Sequence, residues 1–147
     1  MKIKIMEMTK NYKILLSYIK NITSEIPNTE EFVYLKENIP KHSLGIDINS
    51  MPLKNNMAEV NVKLTFDDKS KNDKKALLEI IHTTVIRVEE WAVNKDDLRK
   101  IFLCDVPTEM YPEMERKFLE ITKSIGYPPI GLEKKINFKE LFEKNQK

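Results

Sequence analysis

The chain has 147 residues, of which 41% are hydrophobic and 33% charged, and its formal net charge is +2. This composition predicts one folded domain with a thin core and excludes a disordered chain. Because Cys104 is the only cysteine, it also excludes a disulfide framework and fits a reducing compartment. Acidic and basic residues alternate, as on a solvated surface, and this argues against a nucleic-acid-binding stripe.

The first residues of the sequence do not fit a secretion signal. Residues 1–10 are too short and too often interrupted by charge for a signal peptide, and no apolar run approaches the ~18 residues of a membrane span. We therefore expect a cytoplasmic protein with a single domain over residues 1–147, in which 1–11 and 143–147 form flexible tails.

Four segments rich in Ile, Val and Thr are predicted to be strands. They cover residues 12–26, 44–51, 58–67 and 76–89. Alternation is clearest from Val60 to Phe66, where every second residue is apolar, as in an antiparallel sheet with one wet face. Proline and asparagine separate the segments, and the charged residues 67–75 predict an exposed hairpin.

After Asn94, the apolar residues recur at the spacing expected of a helix. Asp96 is expected to cap a turn that contains Phe102, with a short strand at residues 101–103 as the alternative. Pro107 should kink or stop this turn.

A long amphipathic helix is predicted next. Thr108 is expected to cap it, Pro112 to lie near its start and Gly126 just past its end. Its apolar stripe consists of Met114, Phe118, Ile121 and Ile125.

A final helix of about eight residues is predicted to begin at a capping box formed by Asn137 and Glu140. So short a helix needs a surface to pack on. The sequence thus predicts an α+β fold, a four-stranded antiparallel sheet followed by two C-terminal helices.

Signals for catalysis are weak. His42 and His82 have no metal-ligand spacing around them, and Cys104, with no histidine nearby in sequence, is expected to be a small buried side chain. The three glycines form no phosphate-binding loop. We expect no enzyme activity, no cofactor and no metal.

Two segments carry a family resemblance. The first strand includes Tyr18-Ile19-Lys20-Asn21-Ile22-Thr23-Ser24-Glu25-Ile26-Pro27-Asn28. The last third contains, in order, Cys104 to Pro107, Met110-Tyr111-Pro112, the helix to Ile125, Gly126-Tyr127-Pro128-Pro129 and Ile136-Asn137-Phe138. Both resemble the SecB family of bacterial protein-export chaperones.

The resemblance implies a dimer of dimers, assembled through the first strands and the main helix. It further implies a chaperone that holds preproteins unfolded in the cytoplasm without ATP and hands them to the SecA motor. The implied client groove, between the sheet, the crossover after the first strand and the last helix, would be lined by Phe32, Tyr34, Tyr127, Ile130, Phe138, Leu141 and Phe142.

The implied SecA-binding face comprises Asn21, Glu25, Leu77 and Glu79. Asn21 stands where the family has Asp, and the pI of about 8.5 contrasts with the family's usual acidity. Two other functions stay open: a SecB-like chaperone dedicated to one client, such as an antitoxin, and a structural oligomer that binds no client.

Overall fold

The structure, a computed structural model, describes residues 11–71, 75–89, 94–132 and 136–144. Its strands are β1 (Tyr12–Glu25), β2 (Ser43–Pro52), β3 (Met57–Asp67) and β4 (Leu77–Val88). Its helices are α1 (Thr29–Glu37), α2 (Lys95–Lys100), α3 (Val106–Ser124) and α4 (Phe138–Lys144), with a 3₁₀ turn at Ile39–Lys41 and a π-helical turn at Ile101–Asp105. None of the described helices is long and apolar enough to cross a membrane.

The four strands form one antiparallel sheet in the order β1-β4-β3-β2, which confirms the predicted sheet. The longest strand, β1, lies at one edge and pairs with β4, which comes last of the strands in the chain. We call the face that packs against α3 the inner face and the opposite one the outer face.

The core lies between the inner face and α3. The predicted alternation is confirmed, because all four apolar residues from Val60 to Phe66 are buried. The ring of Phe118 on α3 meets Phe66 edge-on, with centroids 6.2 Å apart. Burying a side chain of this size contributes about 1.5–3 kcal/mol, so this layer accounts for much of the folding free energy.

The segment from Lys95 to Ser124 is helical throughout, and several local predictions about it are wrong. Asn94, not Asp96, caps α2, because its side-chain oxygen accepts from the amide of Asp96 at 2.9 Å. Residues 101–103 are not a strand, since they belong to the π-helical turn, where Val106 donates its amide to the carbonyl of Ile101.

Pro107 does not stop the helix, because it lies in the first turn of α3, directly after the π-helical turn, and α3 continues to Ser124. Thr108 does not cap α3 either: it lies inside the helix and its hydroxyl donates to the carbonyl of Cys104 at 2.6 Å. Pro112 lies within the helix rather than at its start. At the other end, Gly126 follows α3 with φ of 91°, as predicted for a glycine that ends a helix, whereas Ile125 of the predicted apolar stripe is exposed.

Helix α1 was not predicted. Its N-cap is Asn28, whose side-chain oxygen accepts from the amide of Glu31 at 2.9 Å, and two glutamates occupy its first turn, where they favour the helix dipole. The cap and the acidic first turn are visible in the sequence, but Pro27 and Asn28 also fit a simple break between two strands.

The connection between β3 and β4 is not simply an exposed hairpin. Lys69 and Ser70 are exposed, but Asp67 and Asp68 are buried. Lys75 lies 2.7 Å from one carboxylate oxygen of Asp67, and Tyr34 and Ser70 donate to the carboxylate of Asp68. Of the predicted flexible tails, residues 1–10 and 145–147 lie outside the described residues, whereas Glu143 and Lys144 belong to α4.

Candidate functional site

The candidate groove residues fall into three groups. In the first, Phe32 on α1 meets Tyr127 edge-on, with ring centroids 6.3 Å apart. Tyr127 is placed by the turn at the end of α3, where its amide donates to the carbonyl of Thr122 at 2.9 Å. Ile130 is partly buried against the same core. Phe32 and Tyr127 therefore fill the space between α1 and the end of α3 with their own rings.

The second group lies on α4. Asn137 caps this helix as predicted, accepting from the amide of Glu140 at 3.0 Å. Phe138 is only 2% exposed and packs edge-on against Tyr111 of α3, with centroids 5.5 Å apart. Leu141 is 38% exposed and Phe142 is half-buried, so α4 holds one aromatic ring in the core and leaves apolar surface beside it.

Tyr34 forms the third group by itself. Although α1 also carries Phe32, the hydroxyl of Tyr34 donates to a carboxylate oxygen of Asp68 at 2.6 Å, and Lys71 lies 4.1 Å from its ring centre. Tyr34 therefore faces the β3–β4 connection, and the structure does not bring it together with Tyr127.

An open cavity of about 610 Å³ lies between α3 and the segment that leads into α4. It is lined by Thr108, Tyr111, Pro112, Glu115, Arg116, Leu119, Ile136 and Phe138. Only Phe138 among these belongs to the predicted groove. Burial raises the pKa of Tyr111 to about 12, so its phenol stays neutral. The helical spacing of the lining residues on α3 is visible in the sequence, but their covering by residues 136–138 depends on tertiary packing.

The four candidate residues of the SecA-binding face lie together. Register pairs Asn21 with Ile81, Thr23 with Glu79 and Glu25 with Leu77. Because directly paired residues share a face, Asn21, Glu25, Leu77 and Glu79 occupy one end of the outer face.

Two ion pairs lie on the outer face of the sheet. Lys63 contacts Glu79 at 3.0 Å, and Lys20 reaches across β4 to contact Glu59 on β3 at 3.0 Å. Hydrogen bonds from Asn61 and Lys20 lower the pKa of Glu59 and keep it ionised. The outer face is therefore not strongly acidic.

A polar network extends over the rest of the outer face. Thr83 on β4 donates to Asn61 on β3 at 2.6 Å, and Asn61 donates to Asn49 on β2 at 2.9 Å. These bonds satisfy the buried side chains of Asn61 and Thr83.

The edge strand β1 carries large exposed apolar side chains. Leu16 is 51% exposed on the outer face and Ile22 is 48% exposed on the inner face, and Tyr18 is also exposed. An exposed, apolar edge strand is a surface that proteins normally cover.

The side chains with catalytic potential have structural environments. His82 is buried against α3, His42 stacks on Phe66 at 5.4 Å, and Cys104 is buried, which raises the pKa of its thiol. In the described part of the chain, no group of three or more His, Cys, Asp or Glu side chains could hold a metal ion.

A solved structure has the same fold as this chain. The chain matches a SecB-like chaperone of Mycobacterium tuberculosis, solved in complex with a peptide from an antitoxin, with a TM-score of 0.62 and 12% identity. The match covers 86% of this chain and 92% of that one, so the two proteins share a fold.

Sequence relatives identify the family. Residues 6–147 match the family model described as preprotein translocase subunit SecB. A Pelagibacter ubique protein with the provisional name protein-export protein SecB is 45% identical over 136 residues, 92% of this chain and 97% of that protein. Protein-export protein SecB of Albidiferax ferrireducens is 24% identical over 135 residues, 92% of this chain and 84% of the relative. The chain belongs to the SecB family, and its family and fold identify a protein-export chaperone.

Proposed function

We propose that this protein-export chaperone is a holdase that binds unfolded preproteins in the cytoplasm without ATP and delivers them to SecA. Membership of the SecB family over nearly the whole chain is the observation that carries the proposal. We further propose that residues 1–147 act as a single domain without enzyme activity, cofactor or metal.

The client groove of the proposal is built from the aromatic and apolar residues beside α1 and α4. Phe32, Tyr127 and Phe138 offer ring faces that tolerate many sequences, and Leu141 and Phe142 add apolar surface at the rim. Since Tyr127 and Phe138 are buried in the isolated chain, a client gains full access to them only when α1 or α4 moves.

SecA docking is assigned to the end of the outer face formed by Asn21, Glu25, Leu77 and Glu79. Their common position on two paired strands supports this assignment. The contact of Glu79 with Lys63 predicts a weaker attraction for a basic partner than an unpaired carboxylate would give.

A homotetramer, a dimer of dimers, is the assembly we propose. The exposed apolar residues of β1 support burial of this strand against a second copy, and the outward side of α3 offers a further contact surface.

Mixing the purified chain with a chemically unfolded secretory precursor tests the holdase. The precursor is diluted from denaturant into buffer with and without the protein, in the absence of nucleotide, and analysed by light scattering coupled to size exclusion. We expect the protein alone to run at about 70 kDa, four copies of the 17.3 kDa chain, and the mixture to contain a heavier species in which the tetramer carries soluble precursor. Aggregation at the same rate with and without the protein would count against the proposal.

Within that assay, substitutions in α4 test the groove. Leu141→Ala combined with Phe142→Ala should weaken capture more than it lowers the melting temperature, because Leu141 is exposed and Phe142 only half-buried. Ile125→Ala, at an exposed position past α3, is the matched control and should leave capture unchanged. If the variant lost capture and stability to the same extent, the assignment of α4 to the client groove would be wrong.

A chaperone dedicated to a single client is the second candidate. The ion pairs Lys20–Glu59 and Lys63–Glu79 on the outer face favour it, because they weaken the electrostatic attraction that a contact with the motor would use. Capture from cell extract distinguishes the candidates: one dominant bound protein supports the dedicated chaperone, and many exported precursors support general export.

A further inference from the structure

Asp68 is a buried carboxylate in a connection that the sequence predicts to be exposed. It follows the last residue of β3 and is 1% exposed. Its oxygens accept from the Tyr34 hydroxyl at 2.6 Å, from the Ser70 hydroxyl at 2.5 Å and from the Ser70 amide at 2.9 Å. The bonds from Ser70 and Tyr34 lower its pKa to about 2, so the buried group is charged.

A second contact joins the same two elements. Lys71 donates to Glu31 of α1 at 2.6 Å, and its ammonium group lies 4.1 Å from the centre of the Tyr34 ring. Both ends of this ion pair are largely shielded from solvent, with the Lys71 side chain 26% and the Glu31 side chain 18% exposed. Such a pair is screened less than a fully exposed one.

These contacts fix the position of α1 relative to the sheet. Glu31 and Tyr34, one helical turn apart, face the β3–β4 connection, whereas Phe32 meets Tyr127. Movement of α1 away from Tyr127 would therefore strain or break the bonds to Asp68 and Lys71.

We propose that Tyr34–Asp68 and Glu31–Lys71 form a clasp that holds α1 over Tyr127 and thereby controls how readily an unfolded polypeptide enters between Phe32 and Tyr127. Tyr34, Glu31, Asp68 and Lys71 are positioning residues in this role, because they act through α1. The inference rests on the proposed holdase function. It also changes the role of Tyr34, from a residue that lines the groove to one that holds its wall.

The clasp implies a direction of effect. If entry requires α1 to move, the competent state is a minor one, and the apparent affinity is reduced by its small population. Weakening the clasp enlarges that population and so accelerates client association. If the clasp only stabilised the fold, weakening it would lower the free energy of unfolding without accelerating association.

Two conservative variants test the inference. Tyr34→Phe removes the hydroxyl that binds Asp68 and keeps the ring under Lys71; Glu31→Gln removes the charge that pairs with Lys71. Tyr18→Phe makes the same chemical change at an exposed tyrosine of β1, and Glu30→Gln removes an exposed carboxylate from the same first turn of α1. These two are the matched controls.

Two quantities are measured on the full chain. Amide hydrogen exchange of residues 29–37 reports opening of α1, and stopped-flow mixing with a fluorescently labelled, chemically unfolded precursor gives the association rate. We expect roughly 10-fold faster exchange in α1 and several-fold faster association for Tyr34→Phe and Glu31→Gln, with unchanged exchange in the sheet. Tyr18→Phe should match the wild type, and Glu30→Gln, which removes the same kind of helix-dipole charge as Glu31→Gln, should accelerate exchange in α1 by much less than Glu31→Gln.

Unchanged exchange in α1 would overturn the clasp. Faster exchange with unchanged or slower association would overturn its control of client entry. Both results leave the holdase intact if the wild type still captures precursor. A wild type that captures nothing overturns the proposed function as well, so the two failures are distinguishable.

Discussion

His82 is a titratable side chain in an environment that disfavours its charge. It is buried between β4 and α3, and its Nε2 lies 3.5 Å from the ammonium of Lys117. Burial and then the positive charge of Lys117 lower its pKa to about 4, against a small opposing effect of Glu113. A charged imidazole in this position therefore destabilises the folded state.

This environment predicts a pH dependence of stability. The unfolded histidine titrates near 6.5 and the folded one near 4, so the unfolded state binds more protons between these values. We expect the free energy of unfolding to fall as pH drops from 6.5 to 4, by up to about 1.4 kcal/mol per unit. Denaturant titrations across this range measure it.

His82→Asn provides the control for that measurement. This variant lacks the titrating group, so the part of the slope between pH 6.5 and 5, where carboxylates contribute least, should disappear. Equal slopes in wild type and variant would show that His82 is accessible to protons in the folded state.

Among the elements, α4 depends most on a single cap. It has seven residues, too few for an isolated helix, and it is held by the hydrogen bond that the amide of Glu140 donates to Asn137 and by the buried ring of Phe138. We expect Asn137→Ala to cost about 0.5–2 kcal/mol and to accelerate amide exchange in residues 138–144 before it affects the sheet. Exchange measured by mass spectrometry separates the two regions.

Asn137→Asp retains a capping oxygen and is the matched variant, expected to stay near wild-type exchange. If Asn137→Ala leaves exchange in α4 unchanged, the helix is held by Phe138 packing alone.

The ion pair between Lys63 and Glu79 on the outer face leads to a prediction about the proposed binding to SecA. Lys63 neutralises Glu79, so Lys63→Ala should leave this carboxylate free and tighten binding to SecA several-fold at low salt. Titration calorimetry at two salt concentrations measures the effect, which should shrink as salt increases. Lys13→Ala, an exposed lysine of β1 on the same face, removes an equal charge away from Glu79 and is the control. Equal tightening in both variants would indicate net charge rather than the release of Glu79.

The sequence predicted the strands well because their signals are local. Period-two alternation from Val60 to Phe66 and the paired asparagines Asn55 and Asn56, both with φ near 60°, mark β3 and the turn before it without tertiary information. The sequence predicts the start of α3 at the wrong residue, because Pro107 and Thr108 are residue types that usually mark helix boundaries. In the structure, the π-helical turn continues directly into α3 and both residues lie inside the helical segment.

The candidate site was predictable only in part. The family resemblance selected Phe32 and Tyr127, which meet, and four residues that share the outer face. The resemblance also assigned Tyr34 to the groove with Phe32 and Tyr127, whereas in the structure the Tyr34 hydroxyl donates to Asp68, 34 positions away in the sequence. Neither periodicity nor spacing reveals a bond between a helix and a distant loop, and the cavity beside Tyr111 depends on the same kind of packing.

At the scale of the whole molecule, β1 is the surface through which copies are expected to meet. Leu16→Glu would place a charge on its exposed apolar surface and should shift the assembly from about 70 kDa to smaller species, measured by light scattering. Leu53→Glu, an exposed leucine in the β2–β3 turn, is the control and should leave the mass unchanged. A tetramer that withstands Leu16→Glu would place the assembly interface elsewhere.

The strand order also bears on how the protein is made. β1 leaves the ribosome first, but its hydrogen-bonding partner is β4, roughly 50 residues later, a delay of about 3–10 s at ~5–20 residues per second. During that interval a 14-residue strand with exposed Leu16 and Ile22 has no neighbour on which to pair. A newly synthesised copy therefore passes through a stage in which it resembles the unfolded polypeptides that we propose the protein binds. Copies that have already folded nearby could then bind it until β4 is made.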